Sequence, residues 1–427
     1  MTGSEPSFTV EVDQNTYLHE GATEVDAVVT VTATGAPTLA AAGALEVLVV
    51  DTSGSMQGQR IRSARQATVA ALAELRDGVA FAVISGSGTA TQIYPGRGGT
   101  AVADARTRAE ATAQVNDLTA VGGTAVGAWL TAAGELAKAH PAAAPRHAIL
   151  LTDGKNGEQR RVFQAALDGV RGLFTCDCRG VGTDWRVEEL RAVSDALLGT
   201  VDIVADPADL AADFRAIMES SMGKNTADVA LRLWTPRGAS VRFVKQVAPT
   251  VADLTGRRTE AGPQRGDYPL GSWGAESRDY HVGVAVNAGT VGDEMLAGRV
   301  QLVRSGSADV LGQGLVKAVW TDDTSLSSRI SRGVAHYTGQ AELAEAIQEG
   351  LAARKAGDEP TATARLGRAV ALAHESGNDN TARLLEKVVD VLDAPSGTIR
   401  LRKNVADVDE MTLDTRSTRT ARFRGGS

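Results

Sequence analysis

The chain has 427 residues, of which 43% are hydrophobic, 22% charged and only 4% aromatic. That length suits about three domains, with cores built mainly from aliphatic side chains. Lys and Arg number 44 against 52 Asp and Glu, a formal net charge of −8, without the basic excess of a nucleic-acid binder.

The N-terminus has neither the basic nor the apolar segment of a secretory signal. No apolar run reaches the ~20 residues that span a bilayer; the longest candidate, 38–50, contains Glu46 and ends on Asp51. Cys176 and Cys178 stand two apart, a spacing that puts both on one face of a strand as buried thiols. The expectation is a reduced, cytoplasmic protein with no membrane span.

Residues 8–13 and 25–34 alternate apolar with polar side chains, as strands of a sheet wet on one face do. The rhythm then changes. Leu45 to Val50 is a nearly continuous apolar run, the pattern of a strand buried on both faces of a parallel sheet. Helix and buried strand alternate from there: helix at 59–76, strand at 79–84, helices at 104–117 and 125–139, strand at 147–152. Helix at 159–170, strand at 172–176, helix at 186–195, strand at 200–204 and helix at 207–222 complete the series. This order specifies a doubly wound α/β domain with a mostly parallel sheet over 43–224.

Antiparallel texture returns over 225–325, with strands at 229–234, 241–247, 280–286, 299–303 and 314–320. Two N-terminal strands cannot form a stable sheet alone, so residues 1–42 are expected to join 225–325 in one β-sandwich interrupted by the α/β domain. Residues 326–395 read as a helical bundle, weakly similar to tetratricopeptide pairs, with helices at 341–355, 361–376 and 380–392. The polar stretch 396–427 is expected to be a disordered tail.

Three segments converge at the carboxyl ends of the parallel strands, where doubly wound domains bind ligands. They are Asp51-Thr-Ser53-Gly-Ser55, the Gly122-Gly-Thr124 loop and Leu151-Thr-Asp153-Gly. Two carboxylates and three hydroxyls are hard oxygen donors suited to Mg²⁺, with Mn²⁺ or Ca²⁺ as alternatives. The dication is formally neutralised, so an acidic ligand from outside is still attracted.

This pattern resembles the von Willebrand factor A domain and its metal-ion-dependent adhesion site. Asp51, Ser53 and Ser55 match the family's first motif, Thr124 its second-loop Thr and Asp153 its third-loop Asp, in the family's order. The resemblance covers about residues 43–222. It implies a bacterial cytoplasmic binding module rather than an enzyme, whose metal takes a Glu or Asp from a partner protein. Bacterial proteins of this layout commonly sit beside Ser/Thr kinases, phosphatases or forkhead-associated modules. The alternative it implies is an accessory subunit of an AAA+ ATPase or chelatase-like machine.

Met56, Gly123, Lys155 and Asn156 are candidate rim positions for the partner. An Asx turn alone accounts for Asp51-Thr-Ser-Gly-Ser, but not for Thr124 and Asp153 beside it. No Walker ending follows the Gly-rich 85–89 and 96–99 segments, and no histidine is placed by motif as a base for Ser53 or Ser55. All six histidines are read as surface or packing residues. In the tail, Thr412, Thr415, Thr418 and Thr420 are candidate phosphorylation sites, weighed against an unmodified solvated tail.

Overall fold

The computed structural model describes residues 7–35, 43–96, 98–141, 144–224, 226–420 and 422. Among them the chain forms two compact units, one drawn from the described residues of 43–228 with 271–275 and the other from those of 7–35, 229–270 and 276–422.

The first unit holds a seven-stranded sheet. Its strands are β1 (Leu45–Asp51), β2 (Ala80–Gly86), β3 (Ala90–Tyr94), β4 (Ala101–Val102), β5 (Arg146–Thr152), β6 (Thr175–Val181) and β7 (Val201–Val204). The order is β7-β6-β5-β1-β2-β3, with β4 also paired to β2. The pairs among β7, β6, β5, β1 and β2 are parallel, while β3 and β4 run antiparallel to β2. Every residue of β1 is buried, as the unbroken apolar run requires of a central parallel strand.

Six helices connect these strands: α1 (Gln59–Glu74), α2 (Ala105–Asn116), α3 (Val126–Ala139), α4 (Arg160–Val170), α5 (Val187–Ala196) and α6 (Leu210–Met222). Leu48, Val50, Phe81, Val83, Ile149 and Leu151 form one face of the sheet and share a core with Ala64, Ala67 and Leu72 of α1, Val115 of α2 and Phe214 and Met218 of α6. The alternate residues Val47, Val49, Ala82, Ile84, Ala148 and Leu150 are buried too, so they face the opposite layer. On that side α3 and α4 touch, with Val170 Cγ1 2.6 Å from where a Cβ on Gly134 would stand.

The strand expected at 172–176 lies at 175–181. Gly172, with φ +75°, closes the turn after α4 and delays the strand by three residues. Cys176 and Cys178 are both free and buried within it.

In the second unit, one sheet has the strand order 7–14, 24–34, 277–285, 240–248, 252–253. The other runs 259–262, 265–273, 226–234, 294–304, 310–321, 17–19. The N-terminal strands therefore pair with strands that follow the α/β unit: Val29 is opposite Tyr280 and Leu18 opposite Trp320.

Helices Arg332–Lys355, Glu359–Glu375 and Asp379–Val388 follow. Gly357 and Gly377 end the first two in the left-handed region, at φ +78° and +63°. Asp358 and Asn378 then cap the next helices by accepting from Thr361 N at 3.1 Å and Thr381 N at 3.2 Å; such a cap is worth about 1 kcal/mol.

Two expectations fail here. The helix expected at 380–392 ends at Val388, and Val389–Asp393 becomes a strand paired with Thr398–Leu401. The tail expected to be disordered from 396 instead forms that second strand and the helix Asp407–Arg416. Ile399 and Leu413 are buried against Leu366, Leu385 and Val388, so a few apolar anchors order a segment whose overall composition is polar. Residues 421 and 423–427 of that expectation lie outside the described residues, as do 1–6, 36–42 and part of the apolar stretch 38–50.

Candidate metal site

The chain passes from β1 to β2 on one side and later returns to β5 on the other. A crevice thereby opens at the carboxyl end of β1, and three loops enter it. Backbone hydrogen bonds lock them together: Gly54 N donates to Gly122 O at 2.9 Å, Val121 N to Thr52 O at 2.7 Å and Gly157 N to Thr124 O at 2.8 Å. Glu158 caps the start of α3 by accepting from Gly127 N at 2.6 Å and Ala128 N at 3.2 Å, which ties the loop after β5 to the segment carrying Thr124.

Asp51, Ser53 and Asp153 are buried, while Ser55 is exposed and Thr124 half-buried. Asp51 Oδ1 accepts from Ser53 N at 2.7 Å, and its Oδ2 accepts from the Thr152 hydroxyl. Ser53 Oγ lies 2.9 Å from Ser55 Oγ, which donates to Asp153 Oδ1 at 2.6 Å. Burial pushes the Asp51 carboxyl above its usual range; hydrogen bonds from Thr152 and Ser53 oppose the shift, and the Asp153 charge adds to it. Two buried carboxylates in one crevice draw positive charge, and Asp153 already has the Arg60 guanidinium 2.7 Å from its Oδ2.

The space for one is defined by what Gly154 lacks. A Cβ there would stand 3.1 Å from Thr124 Oγ1, 3.2 Å from Ser55 Oγ and 3.8 Å from Ser53 Oγ. Three hydroxyls thus converge on one small volume beside two buried carboxylates. Among the described residues no group of three or more His, Cys, Asp or Glu side chains is placed to hold a metal, so any cation here depends on hydroxyl oxygens as much as on charge. That donor set fits a hard cation such as Mg²⁺.

All five residues expected as ligands meet in this crevice. The expected rim fares less well. Met56 is fully buried in the core with Val50 and Leu151, because the short turn Gly54–Met56 directs its side chain inward. Asn156 uses Oδ1 to accept from Val126 N at 3.2 Å and Glu158 N at 3.3 Å, so it pins loops together. Gly123 and Lys155 are exposed.

The four tail threonines are not in a flexible segment. Thr415 is buried and bonds Met411 O at 2.8 Å, Thr412 bonds Val408 O at 2.6 Å and Thr420 bonds Val247 O at 2.6 Å. Thr418 O accepts from Val251 N at 2.7 Å. Their reading as accessible phosphorylation sites loses its premise, because helix and sheet contacts hold them.

Sequence reasoning passed over Arg60 and His147. Arg60 donates to Asp153 Oδ2 at 2.7 Å and to Asp184 Oδ2 at 2.8 Å. Its signal was available, since an arginine in the first turn of a helix opposes the macrodipole and needs acidic partners. The first turn of α1 has none of its own. His147 is no plain packing residue either: it lies between Glu46 Oε2 at 2.7 Å and Asp177 Oδ2 at 3.0 Å.

The class to which this sheet and crevice belong is given by sequence and structural likeness, and it is that of the von Willebrand factor type A domains. Residues 46–203 match the von Willebrand factor type A domain, and residues 371–417 match the von Willebrand factor type A C-terminal domain. The solved von Willebrand factor type A protein from Catenulispora acidiphila is 50% identical, with 99% of each chain covered and a TM-score of 0.94. The chain belongs to the von Willebrand factor type A family.

The ArnB paralogue VWA2 from Sulfolobus acidocaldarius shares the fold at 16% identity, covering 97% of this chain and 98% of that one, with a TM-score of 0.61. An uncharacterised Synechocystis protein is 28% identical over 217 residues, 49% of each chain. The pig inter-alpha-trypsin inhibitor heavy chain H4 is 35% identical over 151 residues, 32% of this chain and 16% of its own. The chain thus spans half or less of these two curated relatives.

Proposed function

We propose that this is a metal-dependent protein-binding module, acting as a scaffold or regulator rather than as an enzyme. Asp51, Ser53, Ser55, Thr124 and Asp153 hold Mg²⁺, or Mn²⁺ or Ca²⁺, in a complete adhesion site. A bound dication supplies a point of strong attraction for a Glu or Asp carboxylate of the partner. This chain's part is to fix the oxygens in advance: the backbone bonds among the three loops hold the hydroxyls in place, and burial leaves little water to compete with a cation for the two carboxylates.

The observation that carries the reading is the convergence of three hydroxyls on the space beside Gly154, in the crevice that also holds two buried carboxylates. A binding role is favoured over hydrolysis because the Ser53 and Ser55 hydroxyls bond to each other and to Asp153. Neither is joined to a histidine among the described residues.

A reducing, cytoplasmic setting is part of the same reading, supported by two buried free thiols. Among the described residues no helix is long and apolar enough to cross a membrane.

The α/β unit is read as an insertion into one β-sandwich. What supports this is the position of Gly312 and Gly314 on one sheet: Cβ atoms there would come within 2.9 Å of Val10 and 2.5 Å of Val12 on the other.

Affinity capture from the source cells tests the binding role, with wild type, Asp51→Ala and chelator-treated protein side by side. Proteins retained by wild type and lost in both other samples are the expected result, and kinases, phosphatases or forkhead-associated proteins among them would place the module in signalling. An identical set in all three samples contradicts the role.

A further inference from the structure

We infer that Arg60 is a built-in competitor for the candidate site: it occupies one oxygen of Asp153, lowering metal affinity and favouring small six-coordinate Mg²⁺ or Mn²⁺ over Ca²⁺. The inference rests on the reading of the site as metal-binding and goes beyond it by assigning a residue outside the ligand set.

The geometry is specific. Asp153 is completely buried, whereas Arg60 is 31% exposed and Asp184 64% exposed. The pair to Asp184 is therefore a surface ion pair and contributes little by itself. The pair to Asp153 involves a carboxylate that water does not reach, and this is where the guanidinium has its effect. Arg60 Nη1 takes Asp153 Oδ2, while Ser55 takes Oδ1. The second arm, on Asp184, keeps the guanidinium turned toward the crevice. Gly182, in the left-handed region at φ +67°, passes beside the guanidinium: a Cβ there would lie in ordinary contact, 3.5 Å from Arg60 Nη2.

Two consequences follow from the chemistry. A fixed positive charge on a ligand carboxylate makes it a weaker donor and repels any second cation. It also leaves Oδ1 as the oxygen free of a charged partner. Asp51 is similarly restrained, with Ser53 N on one oxygen and Thr152 on the other. Calcium commonly gathers about six to eight oxygens and uses carboxylates with both oxygens at once, whereas magnesium takes about six in a tight octahedron and keeps several waters. A site whose carboxylates are each clamped suits the second pattern.

The test is calorimetric titration of the full chain with MgCl₂, MnCl₂ and CaCl₂, for wild type, Arg60→Gln, Arg60→Lys and Asp51→Ala. Arg60→Gln removes the charge and is expected to tighten Mg²⁺ by about three- to tenfold, an opposite-charge effect discounted for partial exposure. Calcium should tighten by a larger factor, so that the Mg²⁺/Ca²⁺ preference falls. Arg60→Lys keeps the charge without the two-armed bridge. Its Mg²⁺ affinity should stay near wild type while the preference falls part of the way, and this variant carries the test should Arg60→Gln fail to fold. Unchanged or uniformly weaker affinities in both variants overturn the inference and leave Arg60 as a structural tie. If wild type binds no better than Asp51→Ala, the metal-binding reading falls with it.

Discussion

At the residue scale, Gly154 carries a sharp expectation. Nothing about its backbone forbids alanine, but a methyl group there would crowd the Thr124 and Ser55 oxygens at 3.1 and 3.2 Å. Gly154→Ala should lower Mg²⁺ affinity by more than about tenfold while costing no more than about 1 kcal/mol of stability. Titration calorimetry and thermal unfolding measure the two effects, and wild-type affinity in this variant contradicts the proposed location of the cation.

The five candidate ligands were legible because four are oxygen donors at or just after strand ends and Thr124 is a fifth in a Gly-rich loop before a helix, a set that few other roles call for together. Met56 misled because a side chain beside a motif need not share its direction. Arg60 was missed because it belongs to no motif, although its place in the first turn of α1 was a physical signal. Gly154 was visible only as part of Thr-Asp-Gly; the space it leaves is a property of the folded loops.

At the element scale, the opposite end of the sheet holds a buried charge cluster that joins β1, β5, β6 and α6. His147 bridges Glu46 and Asp177, Ser221 of α6 also bonds Glu46, and Asp177 Oδ1 accepts from Thr200 N at 2.7 Å. Burial alone would lower the pKa of His147, but the facing carboxylates of Glu46 and Asp177 overcome it and raise it to about 9. For Asp177, burial is outweighed by His147, with Arg179 and Lys224 adding to the effect, and its pKa falls.

A histidine raised in the folded state contributes its full stability below its ordinary value near 6.5 and loses it as pH climbs through about 9. Thermal unfolding at pH 7 and pH 10 should therefore show a larger loss for wild type than for His147→Gln. Equal losses contradict the charged bridge. The alternation that placed these elements was readable because buried parallel strands are continuous apolar runs, as in 45–50. The short strands 90–94 and 101–102 are partly exposed and carry no such run. The helix 407–416 buries Asp414 and Thr415 along with Met411 and Leu413, so its inward face did not look apolar.

At the scale of the whole molecule, the second compact unit takes in residues up to 35 and resumes at 229. The strand Ser277–Ala285 pairs with Glu24–Thr34 along nine residues of register. Removing residues 1–35 should abolish the unfolding transition of the second unit and preserve that of the α/β unit. Calorimetry distinguishes this from the contrary result, two intact transitions. The division into α/β, β and helical stretches was readable from periodicity, while the order of the C-terminal segment was not, since it comes from long-range contacts such as Leu413 with Leu385.

The most direct test of the central claim is titration of the full chain with MgCl₂ beside Asp51→Ala. Saturable binding of a single ion to wild type, lost in the variant while its unfolding temperature stays comparable, is the predicted result. Equal binding by both proteins, or none by wild type, contradicts the assignment of Asp51, Ser53, Ser55, Thr124 and Asp153 as a cation site.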